Sequence, residues 1–329
     1  MSKKIRWGIL GTGRIARAFA EGVKYAKNSQ LHAIGSRTKE SAEMFAHEWK
    51  IPTPCSSYQE LAENKSIDAI YIATPHTEHL SNTLLCLENG KGVLCEKPIA
   101  VNAHQVGLMI QKSKEKNVLL MEGMWSRFPP LMEKVRDILK KNEIGEVRTI
   151  HADFGFRPEN MNPKGRLFNP DLAGGSLLDV GIYPISLSFM INGTPDSFVT
   201  EWTKGATEVD EQASMIFKYP NGSMALLHSS IQADTRQEAF ISGTEGSIQI
   251  HKQCWKPQIM TITNWKTGVV QKIECPFIGN GFNYEIEHFS QLLLDGKKDS
   301  PIMPLQESLS IISTLDKIRH RWGLRYPCD

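Results

Sequence analysis

"KIRWGILGTGRIARAFAEGVKYA", residues 4–26, decides the architecture. A short apolar strand, Ile5 to Leu10, runs into Gly11-Thr12-Gly13-Arg14-Ile15-Ala16 and then into an alanine-rich helix. A G-x-G-x-x-A turn placed between a strand and a helix is the context in which this pattern holds a dinucleotide. Gly11 permits the tight turn, Gly13 lets a pyrophosphate approach the backbone, and Ala16 lets helix and strand pack closely. The pyrophosphate would sit on the helix N-terminus, among unpaired N–H groups and the positive end of the dipole. Gly11, Thr12, Gly13, Arg14 and Ile15 are therefore the first candidate cofactor contacts.

The second strand, "LHAIGSR" (31–37), ends about twenty residues after the glycines, where an acidic residue would bond the ribose hydroxyls of NAD. The chain instead has Ser36, Arg37, Thr38 and Lys39. An arginine flanked by hydroxyls suits a 2′-phosphate, so NADP is expected over NAD, with Ser36 and Arg37 as selectors. The alternative is a solvated arginine at a helix start.

Strands and helices go on alternating. Strands are expected at 66–74, 91–98 and 118–123, with helices at 78–90 and 102–117. This alternation specifies a doubly wound parallel sheet, a Rossmann domain covering residues 1–123. Ligands of such a sheet bind beyond the carboxyl ends of the strands. Those ends carry Thr74-Pro75-His76, Glu96-Lys97-Pro98 and Glu122. Lys97 reads either as half of a strand-edge ion pair with Glu96 or as a lysine facing the nicotinamide and the reacting hydroxyl. A cis bond before Pro98 would suit such a turn. His76 and His79 form H-x-x-H with no third ligand nearby, so no metal is expected; the imidazoles line the cofactor cleft or cap the next helix.

Residues 124–329 follow a different pattern. Alternating strands separated by turns such as "YPNGS" and "SGTEGS" indicate an α+β domain with a large, mostly antiparallel open sheet. Two helices, 283–296 and 304–323, close the chain. Within this domain "GGSLLDVGIYPISL" (174–187) is apolar except for Asp179 and Tyr183, four residues apart and so on one helical face. Either they satisfy each other's surroundings in a core, or both point into a reaction pocket. Trp125, Arg127 and Phe128 follow the last Rossmann strand and are expected at the domain junction, where they either stack on a sugar or an arene diol or pack the two domains together; Phe154, Arg157 and Trp255 are further wall candidates. The polar, Pro- and Asn-rich stretch 157–172 reads as a loop bordering the substrate pocket.

The whole chain sets outer limits. Its 329 residues suffice for two domains. The formal net charge of +2, from 38 Lys plus Arg against 36 Asp plus Glu, is too even for a nucleic-acid or membrane surface. No signal peptide is evident, and no apolar run approaches the roughly 20 residues of a membrane span. Six scattered cysteines without C-x-x-C suggest thiols in a cytoplasm.

The glycine loop, "EKP" at 96–98 and "GGSLLDVGIYPI" in the second domain, taken in order, resemble the Gfo/Idh/MocA oxidoreductases. The resemblance covers nearly the whole chain. It implies an NADP-dependent dehydrogenase or reductase of a sugar, polyol or dihydrodiol. It maps the family's catalytic lysine onto Lys97, a tyrosine acid/base onto Tyr183 and a substrate-holding aspartate onto Asp179. It also implies a homodimer or homotetramer formed through the open sheet face. A non-catalytic NADP-binding sensor on the same fold is the alternative; the joint presence of Glu96, Lys97, Asp179 and Tyr183 argues against it.

Overall fold

The computed structural model describes residues 3–329. The first stretch delivers the expected alternation: β1 (Ile5–Leu10), α1 (Arg14–Val23), β2 (Ser29–Gly35), α2 (Lys39–Trp49), β3 (Thr53–Cys55), α3 (Tyr58–Glu63), β4 (Ala69–Ile72), α4 (His79–Glu88), β5 (Gly92–Glu96), α5 (Ala103–Lys116) and β6 (Leu120–Gly123). The six strands form one parallel sheet in the order β3-β2-β1-β4-β5-β6. Every residue of β4, β5 and β6 is buried, as parallel strands covered on both faces must be. The order reverses between β1 and β4, which is where such a sheet binds its ligand.

The chain continues through α6 (Pro130–Lys140), β7 (Val147–Gly155), α7 (Ile182–Asn192), β8 (Ser197–Lys204), β9 (Asp210–Lys218), β10 (Met224–Ser230), β11 (Ala239–Gly243), β12 (Gly246–Ile250), β13 (Ile259–Asn264) and β14 (Val270–Glu274). The eight strands are ordered β14-β13-β12-β11-β7-β10-β9-β8. All pairs are antiparallel except β7 with β10. β9 buries alternate residues, Ala213, Met215 and Phe217, beneath an exposed opposite row. The run Pro170–Asn192 is in fact long and apolar enough to cross a membrane, which the sequence reading had not found. Here it forms core: 83% of its most apolar window is buried inside the protein.

Two helices end the chain, α8 (Phe282–Leu294) and α9 (Leu305–Trp322). The contacts divide the molecule into residues 1–128 with 278–309, and residues 129–277 with 310–329. The sequence reading placed a single break at 123/124. The difference has a physical cause: α8 packs back on the parallel sheet. Trp7 of β1 donates its indole N–H to Ser290 Oγ at 3.1 Å, and its ring lies 5.0 Å from that of Phe289.

Candidate active site

The glycine loop has the shape of a cradle. Gly11 has φ +106°, and a Cβ there would lie 2.8 Å from the Ala73 carbonyl oxygen. A Cβ at Gly13 would meet nothing within 4 Å, so the space above it is open. Gly13 caps α1 without a side-chain bond, leaving the first N–H groups of the helix to an incoming acceptor. A pyrophosphate fits both observations, and Thr12, Arg14 and Ile15 surround the place. At the tip of β2, Ser36 is buried and Arg37 exposed. Burial pushes the Tyr58 hydroxyl up from its ordinary pKa, and the nearby Arg37 charge partly offsets this. Tyr58 was absent from the sequence candidates.

The ends of β4, β5 and β6 gather buried polar side chains. Thr74 receives a bond from Asn82 Nδ2 at 3.2 Å. Pro75 precedes a short 3₁₀ turn, His76–Glu78, and the His76 ring lies 5.8 Å from that of His79. His79 is fully buried: Nδ1 lies 2.8 Å from the Pro98 carbonyl oxygen and Nε2 3.0 Å from that of Thr74. Burial lowers its pKa, while the bonds to carbonyls oppose the drop. Glu96 is buried, accepts the hydroxyl of Tyr71 on one oxygen, and accepts the Lys97 amide on the other at 3.2 Å. Burial pushes its carboxyl up to about 7 despite the Tyr71 bond and the Lys97 charge. Glu122 is fully buried and accepts the Ile99 amide at 3.0 Å. The Lys97–Pro98 bond is cis.

Trp125 and Arg127 take structural positions within the same unit. Trp125 stacks on Phe282 of α8 at 4.9 Å. Arg127 is only 2% exposed; its guanidinium is paired with Glu307 at 2.5 Å and bonds the Ile302 carbonyl at 3.5 Å. The guanidinium is thus committed to partners within its own unit.

In the second unit, residues 177–181 form a π-helical turn that leads into α7. Such turns recur at functional sites. Pro184, which has no N–H to give, falls just where the π-helical turn passes into α7, so a carbonyl of that turn goes without its usual helical donor. Asp179, nearly buried, accepts a bond from Arg166 Nη1 at 2.6 Å. Tyr183 is half-buried against Phe154, Phe168, Val180 and Ile231, with its ring 5.6 Å from Phe154. Phe154 stacks on Trp255 at 3.5 Å. Arg157 reaches the Gln232 carbonyl at 3.1 Å from the surface. The loop 157–172 is firmly attached: Phe168 is buried in this cluster, and a Cβ on Gly174 would lie 2.9 Å from the Arg166 carbonyl oxygen. Gly174 therefore lets the loop backbone close on the helix approach and deliver Arg166 to Asp179.

Sequence reasoning missed Arg166, Tyr58, Tyr71 and Glu285. A tyrosine in the otherwise aliphatic strand "AIYI" was the available sign for Tyr71, since a buried phenol needs an acceptor. Glu285 of α8 is fully buried, and neither of its oxygens meets a donor among the described residues.

An open glycine cradle at the switch point of a parallel sheet, followed by a sheet domain with titratable groups on an aromatic cluster, defines a nucleotide-dependent oxidoreductase. The family models agree. Residues 5–124 match the oxidoreductase family, NAD-binding Rossmann fold, and residues 132–249 match the GFO/IDH/MocA C-terminal domain. The chain is 38% identical over 334 residues to a trans-1,2-dihydrobenzene-1,2-diol dehydrogenase of Xenopus tropicalis, covering 98% of this chain and 99% of the relative. The human enzyme of that name is 33% identical over 334 residues, with 99% of each chain covered. Among solved structures, an aldose-aldose oxidoreductase from Caulobacter crescentus complexed with glycerol superimposes with a TM-score of 0.89 at 26% identity, covering 98% of each chain. A 3-ketoreductase from Actinomadura kijaniata, solved with NADP and TDP-benzene, gives 0.85 at 25%, also with 98% of each covered. This chain belongs to the Gfo/Idh/MocA oxidoreductase family and is an NAD(P)-dependent oxidoreductase.

Proposed function

We propose that the protein is an NADP-dependent dehydrogenase or reductase of CH–OH groups on a sugar, polyol or dihydrodiol. The observation that carries this is local to the second unit. A half-buried phenol, Tyr183, lies four residues from a carboxylate, Asp179, which Arg166 holds in place. The dihydrodiol dehydrogenase relatives and the glycerol-bound aldose oxidoreductase support hydroxyl substrates. The ketoreductase solved with NADP, together with Arg37 at the β2 tip in place of a carboxylate, supports NADP.

When bound, the nicotinamide supplies the hydride acceptor or donor. In oxidation the substrate hydroxyl must lose its proton as its carbon gives up hydride; Tyr183 takes that proton, and in reduction returns it. A free phenol has a pKa near 10 and is a weak base at neutral pH. A cation acting on the same hydroxyl would favour the phenolate and the developing alkoxide, the role that the family resemblance assigns to Lys97. Asp179 orients the remaining substrate hydroxyls, with Phe154 and Trp255 as an apolar wall. Gly11, Gly13 and the first N–H groups of α1 hold the pyrophosphate, Ser36 and Arg37 the 2′-phosphate, and the Thr74-Pro75-His76 and Glu96-Lys97 turns the nicotinamide side.

The test is initial-rate NADPH formation with D-xylose, D-glucose, myo-inositol and a trans-dihydrodiol, repeated with NAD. Turnover on an aldose or diol with NADP is expected. A preference for NAD would refute the Arg37 argument and leave the enzyme class. Tight NADPH binding with no turnover on any substrate would favour a non-catalytic NADP-binding sensor.

A second copy of this chain is part of the same proposal. Val199, Ile216, Leu226 and Phe240 are exposed apolar residues on β8, β9, β10 and β11. The register aligns them in one row, broken only by His151 of β7. Such a row on an open sheet face suits a symmetric partner, in a homodimer or homotetramer. Ile216→Asp is expected to yield a monomer in sedimentation; a wild-type monomer would overturn this. The cytoplasmic location suggested by the cysteines belongs to the proposal as well.

A further inference from the structure

The turn Lys97-Pro98-Ile99 leaves the sheet at the end of β5, so no strand ladder satisfies its backbone. Buried side chains from three elements do so instead. The Lys97 N–H goes to Glu96 Oε2 at 3.2 Å, the Pro98 carbonyl to His79 Nδ1 of α4 at 2.8 Å, and the Ile99 N–H to Glu122 Oε1 of β6 at 3.0 Å. Even the Ile99 carbonyl faces the Cys95 thiol, at 3.5 Å. Cys95, His79 and Glu122 are fully buried, and Glu96 is 6% exposed. His79 Nε2 lies 3.0 Å from the Thr74 carbonyl; a neutral ring, with one N–H, can donate to only one of the two carbonyls at a time.

Burying a carboxyl and an imidazole is strongly unfavourable unless their bonds recover it. Apolar residues would fill the same volume more cheaply. What only polar groups can do is fix the direction of each peptide in an irregular buried turn. The residue carried by that turn is Lys97.

We propose that His79 and Glu122 are positioning residues: they hold the turn's backbone so that the Lys97 ammonium is aimed before substrate arrives. The inference rests on the reading of Lys97 as catalytic. It assigns His79 a different role from lining the cofactor cleft, since its buried ring faces the Pro98 and Thr74 carbonyls. A displacement of about 1 Å at a reacting group can lower turnover by roughly 100-fold.

The experiment compares Glu122→Met and His79→Leu, which remove the bonds, with Glu122→Gln, which keeps an acceptor for the Ile99 amide. Two readouts are taken on the full chain: kcat and KM on the best substrate, and the rate at which trinitrobenzenesulfonate labels Lys97, followed by peptide mapping. Expected are a kcat loss of tenfold or more in the first two variants, an altered Lys97 labelling rate, unchanged NADPH affinity, and recovery in Glu122→Gln. Wild-type kcat and labelling in both Glu122→Met and His79→Leu would overturn the proposal. If the wild type turns over nothing, the catalytic reading fails, and the labelling rate still decides whether the turn aims Lys97. If the two variants do not fold, hydrogen exchange in the wild type decides. An Ile99 amide bonded to a buried carboxyl exchanges only through global opening, and rapid exchange there would sink the idea.

Discussion

Lys97 and Tyr183 are held by opposite means. The Lys97 turn is fixed through its backbone by buried polar side chains on α4, β5 and β6. Tyr183 is fixed through its ring by aromatic and aliphatic packing on the second sheet, with Asp179 beside it in sequence held by a surface-loop arginine. Backbone anchoring is directional and fails abruptly when one partner is lost. Ring packing is graded and tolerates changes of size, but it leaves the phenol's hydroxyl dependent on local chemistry. Substitutions at the first site should therefore act through geometry, and those at the second through proton transfer.

The sharpest break in that contrast is Tyr183→Phe. The ring and its packing against Phe154 remain, so stability should change little, while the hydroxyl proposed to carry the proton is gone. Turnover should fall by roughly 100- to 10,000-fold, with NADPH affinity nearly unchanged. Stopped-flow NADPH formation beside equilibrium binding measures both. Turnover at the wild-type level would remove the acid/base from the second unit altogether.

Arg37→Ala tests the cofactor end. A charged hydrogen bond to phosphate contributes about 1.5–3 kcal/mol, so NADP affinity should weaken by roughly 10- to 100-fold while NAD is unaffected. Unchanged affinity for both nucleotides would show Arg37 to be a solvated helix-start residue.

Arg166→Met sharpens the comparison on the second unit. Asp179 would lose its 2.6 Å partner but keep its helix. Arg166 is half-exposed, so the expected effect is modest: about a tenfold rise in KM for a polyhydroxylated substrate, with kcat less affected. A fall in kcat equal to that of Tyr183→Phe would mean that Arg166 acts on the reacting atoms.

The two regions also differed in legibility. The parallel sheet could be read because the glycine loop and the apolar runs of β1, β4 and β5 are local signals. The second domain could be read as a largely antiparallel sheet, but β12, β13 and β14 were not named. "IMTITN" and "VQKIE" lie at the sheet edge, where little burial forces an alternation. The return of α8 to the parallel sheet was hidden because it rests on Trp7, Ser290 and Phe289, nearly the whole chain apart. Lys97, Asp179 and Tyr183 stood out as polar residues in apolar surroundings. What holds them did not: His79 bonds a backbone carbonyl nineteen residues on, and Arg166 sits in a polar loop where one arginine resembles any other.

The last expected effect, on stability rather than turnover, separates the two kinds of buried acid. Asp210, in the second unit, is buried but accepts Ser176 Oγ at 2.9 Å and the Leu177 amide at 2.6 Å, and its pKa rises to about 7. Glu285, in the first, has no donor among the described residues; burial, and then the Glu96 charge, push it well above the ordinary carboxylate value. An unfolded glutamate titrates near 4.3. Above that pH the unfolded chain releases the Glu285 proton while the folded chain keeps it. Stability is therefore fully present below about pH 4 and declines as pH rises, by at most about 1.4 kcal/mol per pH unit for this group. Glu96 and Asp210, both near 7, contribute the same sign of slope only up to that point. Glu285→Gln cannot ionise, so its thermal midpoint should match the wild type more closely at pH 5 and gain on it from pH 7 to 9. Parallel curves across that range would mean that Glu285 is already ionised in the folded protein, with a donor the packing does not reveal.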